Sequence, residues 1–183
     1  MLNKIFVIIL LLPLSPLLIF TSLLIFFIDR RPILFKQKRI GKENSQFNIY
    51  KFRTMKINTN DIPSHLMQNS KERFTKLGPL IRKLSIDELP QLINIFKGEM
   101  NFFGPRPALY NQKDLIELRT QKNIHLLKPG ITGWAQVNGR DSLTIEEKVQ
   151  YDEEYLRRAS LSFDMYIIGL TILRVIKKDG ISH

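Results

Sequence analysis

The chain opens on an apolar segment that is long enough to cross a membrane. No charged residue occurs from Ile5 to Ile28, and Asp29, Arg30 and Arg31 follow at once. An α-helix of this length, at about 1.5 Å rise per residue, covers a hydrocarbon core of roughly 30 Å. A cleaved signal peptide would have a shorter apolar core followed by a small-residue cleavage site. The direct passage into charged residues therefore favours a retained membrane helix.

Two prolines and a serine lie in the middle of this segment, at Pro13, Ser15 and Pro16. Each proline removes a backbone donor and crowds the preceding turn, which predicts a kink. A carbonyl freed in lipid needs another partner, and the Ser15 hydroxyl could supply it. The residues alone leave two arrangements open. One is a kinked single span, and the other is a re-entrant helix that leaves the membrane on the face it entered.

The segment after the apolar run has the pattern of a β-hairpin. β-Type residues in 33–40 and 47–54 flank the polar stretch 41–46, which predicts two strands joined by a long turn. On the second strand Ile49, Lys51 and Arg53 share one face, while Tyr50 and Phe52 share the other. Residues 57–70 lack periodicity and are rich in turn formers, which predicts a loop.

The rest of the chain predicts short helices separated by turns. A helical region begins near Lys71 and is interrupted at Gly78-Pro79. The next helix begins between Ser85 and Leu89 and ends at Gly98, because glycine is favoured just after a helix. Ser85 to Glu88 and Thr144 to Glu147 match capping boxes. Further helices are predicted at 111–123, 144–158 and 163–178, with a rigid turn at 104–107 and a glycine-rich loop at 128–140.

These elements predict an α+β fold that is mostly helical. The helix at 163–178 combines much apolar surface with a basic end, so it could lie in a membrane interface. We therefore expect a membrane helix at 1–29 and a compact domain at 30–183, with a β-hairpin and interfacial amphipathic helices.

The distribution of charge along the chain predicts the side of the membrane on which the globular part lies. It also limits the classes of partner that the chain can bind. The net charge is +11, and residues 30–56 hold nine basic residues against the single acid Glu43. Basic residues beside a membrane segment stay on the cytoplasmic side, so the globular part is predicted there. The same cluster suits anionic lipid head groups. The chain has no cysteine, which excludes a disulfide scaffold, a thiolate zinc site and a cysteine nucleophile.

The adjacent carboxylates Asp87 and Glu88 are the main candidates for chemistry. The three histidines are scattered, and the glycine patterns of dinucleotide and P-loop sites are absent. Mg²⁺ takes one or two protein carboxylates together with substrate phosphate oxygens. An aspartate can also attack phosphorus and form an acyl phosphate. The structural alternative is that both are ordinary first-turn residues, with Glu88 completing a capping box.

Several arginines and a lysine could bind phosphate groups near this pair. Arg82 lies five residues before Asp87, and Arg106 lies between two prolines that restrict its backbone. Arginine suits bidentate recognition of phosphate. The alternatives are a solvated helix face or a lipid contact for Arg82, and the general basic surface for Lys51 and Arg53.

Motifs spread over nearly the whole chain resemble a small monotopic phosphoglycosyl transferase of the bacterial sugar transferase family. No single stretch is decisive, but their order along the chain is highly specific. The matching stretches are Phe47–Met55, Leu77–Arg82, Asp87–Asn94, Gly104–Pro107 and Lys128–Arg140, followed by Tyr151-Asp152, Ser160 and Asp164. The family also includes longer members with several spanning helices and an extra domain. We expect this chain to correspond to the minimal form.

The resemblance implies a reaction and roles for individual residues. A UDP-sugar would donate its phospho-sugar to undecaprenyl phosphate and release UMP, through a covalent intermediate on Asp87. Glu88 corresponds to the partner carboxylate beside Mg²⁺, and Asp87 with Glu88 would hold the metal. Lys51, Arg82 and Arg106 correspond to basic positions near the phosphates, and Asp164 to a further acidic position. Ser15-Pro16 matches the family's break in a re-entrant helix, which favours that arrangement.

The resemblance also implies a location and partners. The enzyme would lie in the bacterial inner membrane with its catalytic domain on the cytoplasmic face. It would perform the first membrane step of a glycoconjugate pathway, such as O-antigen or capsule synthesis, and downstream glycosyltransferases would be further partners. The sugar and the oligomeric state are left open.

A hypothesis of another class is a membrane-tethered basic module that binds nucleic acid or anionic lipid. Its basic residues are not interleaved with aromatic side chains in a pattern for stacking bases, so no nucleic-acid partner is expected. An inactive family member acting as a scaffold is a third hypothesis, and the intact Asp87-Glu88 pair argues against it.

Overall fold

A computed structural model describes residues 2–57, 73–139 and 142–177. The described part is α+β, as predicted, with two two-stranded sheets and a larger share of helix. Most of the predicted loop at 57–70 and the predicted helix start at Lys71 lie outside the described residues. The α-helices in these ranges are Leu2–Leu24, Gly78–Lys83, Leu92–Lys97, Lys113–Gln121, Trp134–Val137, Ile145–Arg158 and Leu161–Lys177.

The first helix, here called the apolar helix, is Leu2–Leu24, and one π-helical turn at Ile25–Asp29 extends it. By length and composition alone, the stretch Lys4–Asp29 could cross a membrane. Pro13 and Pro16 both lie inside the α-helix, and the Ser15 hydroxyl donates to the Leu12 carbonyl over 2.8 Å. That bond confirms the partner predicted for a freed carbonyl. The kink and the re-entrant path stay predictions.

The chain forms two compact units. The first contains Met1–Gln37 and Ile49–Phe96, and the second contains Lys38–Asn48 and Lys97–Gly180. The predicted division at residues 29 and 30 stays a prediction.

The predicted hairpin is confirmed. Strand β1 is Leu34–Ile40, strand β2 is Gln46–Phe52, and a short 3₁₀ turn at Lys42–Asn44 joins them. The first half of β2 alternates between exposed and buried side chains, as expected for a strand with one covered face.

In the first unit, a small apolar core fixes the elements that carry Asp87 and Glu88. Ile25, Phe52 and Ile81 are buried together there. The helix Gly78–Lys83 begins at Gly78 and has Pro79 in its first turn. This pair therefore starts a helix, and the predicted interruption falls at residues 74–77 instead. The first turn needs no proline N–H, so this proline fits a helix start.

The second unit contains a parallel pair of short strands that the sequence did not predict. Strand β3, Asn101–Phe103, pairs with β4, Gly130–Thr132, in the register Asn101 to Gly130 and Phe103 to Thr132. The prediction of a plain loop at 128–140 was therefore wrong, since the helix Trp134–Val137 also lies there. A side chain at Gly130 would collide with the backbone around Gly104, so glycine permits this close pairing.

Two clusters of buried side chains form the core of the second unit. One joins Ala108, Leu115, Ile124 and Val149, and the other joins Val137, Tyr155, Phe163 and Ile167. The helix Ile145–Arg158 begins with a complete capping box between Thr144 and Glu147, which confirms that prediction.

The helix Leu161–Lys177 confirms the helix predicted at 163–178. It has one covered face and one open apolar face. Phe163 and Ile167 are buried, whereas Leu161, Met165 and Ile172 are exposed. Its proposed place in a membrane interface stays a prediction.

Candidate functional site

Asp87 and Glu88 lie in the first turn of a 3₁₀ helix, Ile86–Gln91, which continues directly into the α-helix Leu92–Lys97. Pro90 lies inside the 3₁₀ helix and has no N–H to donate to a regular α-helical ladder. The α-helix ends before Gly98, as predicted, and Gly98 has a φ of 83°. Asp87 is 7% exposed, so its carboxylate is held in a largely covered position.

The capping box predicted from Ser85 to Glu88 was wrong. Ser85 makes no side-chain capping bond, and its φ of 53° and ψ of 18° are left-handed. An N-cap residue needs an extended backbone so that its side chain can reach the amides of the next turn. Ser85 instead closes the preceding helix, because its N–H donates to the Arg82 carbonyl over 2.9 Å. Glu88 is therefore not used as a capping residue.

Lys51 and Glu88 meet across 37 residues of sequence. The Lys51 ammonium donates to Oε1 of Glu88 over 2.7 Å, and each side chain is 15% exposed. Lys51 projects from β2, and the 3₁₀ helix presents Glu88. A short ion pair with this little exposure is stronger than a surface pair, because water screens it less. The structure thus brings together Lys51, which sequence analysis placed near the phosphates, and Glu88, which it placed beside the metal.

Lys51→Met is expected to lower the free energy of unfolding by about 1–3 kcal/mol. The change leaves the Glu88 carboxylate without this ammonium in a mostly covered position, and the partial exposure reduces the cost below that of a fully buried pair. Denaturant titration of the purified protein measures the loss. Lys38→Met, at an exposed position of β1, is the matched control. Equal effects of the two variants would contradict a stabilising role for the pair.

Arg82 belongs to the same unit as Asp87 and Glu88. Its Nε donates to the Thr54 hydroxyl over 2.9 Å, and its guanidinium lies 5.0 Å from the centre of the Phe74 ring. Thr54 is buried and lies two residues after the end of the strand that carries Lys51. Arg82 is therefore held by this segment, which contradicts a freely solvated helix face. Its role toward phosphate stays a prediction.

Sequence analysis missed two buried polar residues beside these groups. Asn94 is fully buried, and its Oδ1 accepts the Tyr50 backbone N–H over 3.1 Å, which joins β2 to the helix Leu92–Lys97. For Arg53 the general basic surface was the alternative to a phosphate contact, but Arg53 is only 7% exposed, which contradicts that alternative. A signal for Asn94 was its place between the apolar residues Ile93 and Ile95. Arg53 carried no signal in the local pattern, because its partners are backbone carbonyls.

Arg106 lies in the second unit, in the stretch Gly104–Pro107, which is non-helical as predicted. Its backbone carbonyl accepts from Nη1 of Arg119 over 2.8 Å. The carbonyl of Pro107 accepts from Nη1 of Arg39 over 3.0 Å. The turn is thus held through its main chain by two arginines. The role of the Arg106 side chain toward phosphate stays a prediction.

The buried carboxylate of Asp152 anchors the first of these arginines. Asp152 is 1% exposed, and its Oδ2 accepts from Nη2 and Nε of Arg119 over 2.6 and 3.0 Å. Burial raises the pKa of Asp152, although the charge and hydrogen bonds of Arg119 act in the opposite direction. Asp152 lies in the matched pair Tyr151-Asp152, and the structure places it in support of the Arg106 turn.

Asp164 lies in an aromatic region of the second unit. Its Oδ1 accepts from the Tyr155 hydroxyl over 2.9 Å, and Tyr155 packs against the Phe163 ring. Burial raises the pKa of Asp164, and the hydrogen bond from Tyr155 offsets part of that effect. Desolvation and the neighbouring Asp164 raise the pKa of Tyr155 in turn. The structure gives Asp164 a packing role, and a role as a site acid stays a prediction.

Asp164→Asn is expected to change the free energy of unfolding in a way that depends on pH. Relative to wild type, the variant should be more stable at neutral pH than at acid pH. A carboxyl with a raised folded-state pKa disfavours ionisation, so the native state loses stability as pH rises through that pKa. Asparagine cannot ionise, and its carbonyl can still accept from Tyr155. Unfolding free energies of both proteins from about pH 4 to about pH 7 measure the difference. A difference that is constant over this range would contradict the expectation.

The carboxylates fit the donor preference of Mg²⁺. Within residues 2–57, 73–139 and 142–177, no three or more His, Asp or Glu side chains gather around one point. Mg²⁺ does not require such a cage, because it binds through one or two carboxylates and keeps water and phosphate oxygens as its other ligands. Asp87 and Glu88 supply this number of carboxylates, and Mg²⁺ itself stays a prediction.

Comparison with known proteins identifies one family and several similar sugar transferases. The profile of the family described as "Bacterial sugar transferase" matches residues 1–178. An uncharacterized sugar transferase of Bacillus subtilis (strain 168), EpsL, is 45% identical over 154 residues, which are 83% of this chain and 74% of that protein.

Two further relatives carry names that specify a reaction. The UDP-N-acetylgalactosamine-undecaprenyl-phosphate N-acetylgalactosaminephosphotransferase of Aeromonas hydrophila is 38% identical over 91% of this chain. The UDP-glucose:undecaprenyl-phosphate glucose-1-phosphate transferase of Escherichia coli (strain K12) is 38% identical over 90% of this chain. The matched regions span 40% and 37% of those two proteins.

Proposed function

Because the chain belongs to the bacterial sugar transferase family, we propose that it transfers a phospho-sugar from a UDP-sugar to undecaprenyl phosphate and releases UMP. The names of the Aeromonas and Escherichia relatives support this reaction class. The observation that carries the proposal is the Asp87-Glu88 pair, which is largely covered and has Lys51 bonded to Glu88. These groups supply a nucleophile, a second carboxylate and a cation in one unit.

The proposed reaction has two steps, both centred on Asp87. In the first step a carboxylate oxygen of Asp87 attacks the β-phosphorus of the UDP-sugar. A bond forms between Asp87 and the phospho-sugar, and the bond from phosphorus to the UMP oxygen breaks. In the second step an oxygen of undecaprenyl phosphate attacks the same phosphorus and displaces the Asp87 carboxylate. Splitting the transfer in this way is the usual advantage of a covalent intermediate.

The remaining residues neutralise negative charge on the phosphates and orient the reacting groups. Lys51 holds Glu88 in place through its ion pair. Arg82 and Arg106 bind phosphate oxygens, for which guanidinium groups are well suited. Mg²⁺ held by Asp87 and Glu88 would neutralise negative charge on the diphosphate. Each contribution favours attack by an anion on a phosphate that is itself anionic.

The apolar helix and the basic residues after it support the proposed membrane arrangement. The helix enters the membrane and bends at Ser15-Pro16, so that both of its ends lie on the cytoplasmic face of the bacterial inner membrane. The exposed basic residues of the segment 30–56, such as Arg31, Lys36 and Lys38, lie against the lipid head groups. The open apolar face of Leu161–Lys177 lies at the boundary between head groups and acyl chains. The product then passes to downstream glycosyltransferases of a glycoconjugate pathway.

UMP release by the purified protein in lipid nanodiscs tests the proposed function. The assay contains undecaprenyl phosphate, Mg²⁺ and a panel of donors that begins with UDP-glucose and UDP-N-acetylgalactosamine. We expect UMP release with at least one donor, loss of release with EDTA, and recovery with added Mg²⁺. Absence of UMP with every UDP-sugar would overturn the proposal.

A further inference from the structure

A largely buried arginine closes the end of the apolar helix. Arg53 is 7% exposed and donates three hydrogen bonds to backbone carbonyls that follow this helix. Its Nε donates to Pro32 over 2.6 Å. Its Nη2 donates to Asp29 over 2.5 Å and to Arg30 over 2.7 Å. The side chain of the residue that follows β2 is thus bonded to the last residue of the π-helical turn and to the turn after it.

These bonds suit the chemistry of a helix end. The last carbonyls of a helix lack partners within it and carry partial negative charge. A guanidinium brings a positive charge and several donors in a fixed planar fork. Lysine offers an ammonium in place of this fork and cannot reproduce the same three bonds. Arginine is therefore the residue type that suits position 53.

The side chain of Asp29 makes the opposite connection. Its Oδ1 accepts from the Lys76 backbone N–H over 2.9 Å, and its Oδ2 accepts from the Leu77 N–H over 3.3 Å. These amides directly precede the helix Gly78–Lys83, which carries Arg82. The last residue of the π-helical turn therefore binds the start of a helix that supplies one of the proposed phosphate ligands.

The two connections meet in the segment after Lys51. Thr54 accepts from Arg82 over 2.9 Å, and Lys51 donates to Glu88 over 2.7 Å. The end of β2 and the two residues after it, 51–54, thus contact Glu88, Arg82 and the end of the apolar helix. We call the bonds made by Asp29 and Arg53 the junction network. All its members belong to the first unit.

We infer that Asp29 and Arg53 are positioning residues, which fix the end of the apolar helix relative to the Asp87-Glu88 pair. They thereby set the depth at which a phosphate acceptor held in the membrane meets this pair. The inference rests on the proposed function. It adds a specific role for the junction network in the second step, since the nucleotide sugar is soluble and only the lipid acceptor is fixed by the bilayer.

The expected defect is selective for the membrane-held acceptor. A misplacement of about 1 Å between reacting groups can lower a rate on the order of 100-fold. Weakening the junction network shifts the site relative to the bilayer, but it leaves two bonds within the site, the one from Lys51 to Glu88 and the one from Arg82 to Thr54. Attack by Asp87 on the soluble donor should therefore continue while transfer to the lipid slows.

The test compares the two steps in Arg53→Lys, Arg53→Gln and Asp29→Asn. In nanodiscs we expect transfer to undecaprenyl phosphate to fall about 10- to 100-fold. Single-turnover UMP release without acceptor should stay within about threefold of wild type. Transfer to a short-chain prenyl phosphate that dissolves in water should also stay within this limit. Lys113→Gln, which removes an exposed basic residue outside the basic segment 30–56, should change none of these rates.

Hydrogen exchange gives a second measurement that does not depend on activity. Asp29→Asn and Arg53→Gln should speed exchange in the Lys76 and Leu77 amides or in the turn at 30–33, and Lys113→Gln should not. Equal losses of donor attack, short-chain transfer and long-chain transfer would overturn the inference, because they indicate a general structural role. Unchanged exchange would also overturn it. A wild-type protein that releases no UMP would instead overturn the proposed function, and the exchange data would still test the junction network.

Discussion

Asp87→Asn is expected to lower UMP release by at least about 1000-fold. Asparagine has nearly the same size as aspartate, but it offers no anionic oxygen to attack phosphorus. Asp87 is largely covered in the first turn of a 3₁₀ helix, so the substitution preserves the shape of the site and removes its charge. The assay measures UMP released from the best UDP-sugar of the panel, with and without undecaprenyl phosphate.

The matched control is Asp114→Asn, which makes the same chemical change at an exposed helical position. It should retain the wild-type rate. A covalent intermediate further predicts that wild-type protein incubated with the UDP-sugar alone gains the mass of a phospho-sugar on the peptide containing Asp87. If Asp87→Asn released UMP as fast as wild type, the assigned nucleophile would be wrong.

Asp152→Ala is expected to cause the largest loss of stability among the substitutions considered, about 3–5 kcal/mol. It removes a fully buried carboxylate that accepts from Arg119 over 2.6 and 3.0 Å. The guanidinium is then left in the interior without its counter-charge, and the Arg106 turn loses a fixed partner. Denaturant titration measures the loss in the free energy of unfolding.

Two further variants test whether the loss of stability comes from a buried charge that is left without a partner. Glu153→Ala removes the neighbouring acid, whose contact with the exposed Lys122 is 3.5 Å long, and should cost less than about 1 kcal/mol. Replacing both partners, Asp152→Leu with Arg119→Met, should be less damaging than Asp152→Ala, because no unpaired charge is left buried. A loss for Asp152→Ala no larger than that for Glu153→Ala would contradict the stabilising role of this ion pair.

The sequence predicted those elements whose signals are local. The hairpin is encoded by β-type residues on either side of a polar turn, and the helix Ile145–Arg158 by the capping box at its start. Ser85 to Glu88 carries the same capping pattern, yet Ser85 adopts a left-handed backbone because it ends the helix before it. A pattern of side chains does not reveal which of two adjacent helices a residue will serve.

The parts that sequence analysis missed depend on contacts between distant residues. Strand β4 exists because Gly130 lies against the backbone near Gly104, and no local pattern encodes that pairing. The contact of Lys51 with Glu88 likewise requires the hairpin to lie beside the 3₁₀ helix. The sequence indicated the residue types suited to phosphate chemistry. Their pairing and burial required the fold.

The turn that contains Arg106 is held by hydrogen bonds to its backbone carbonyls. These bonds do not depend on which side chain is present at position 106. Arg119 and Arg39 bind the carbonyls of residues 106 and 107, which every amino acid possesses. The side chain at position 106 can therefore change during evolution or in the laboratory while these supports persist. A library of variants at position 106 therefore tests the proposed role of this side chain toward phosphate while both main-chain bonds remain available.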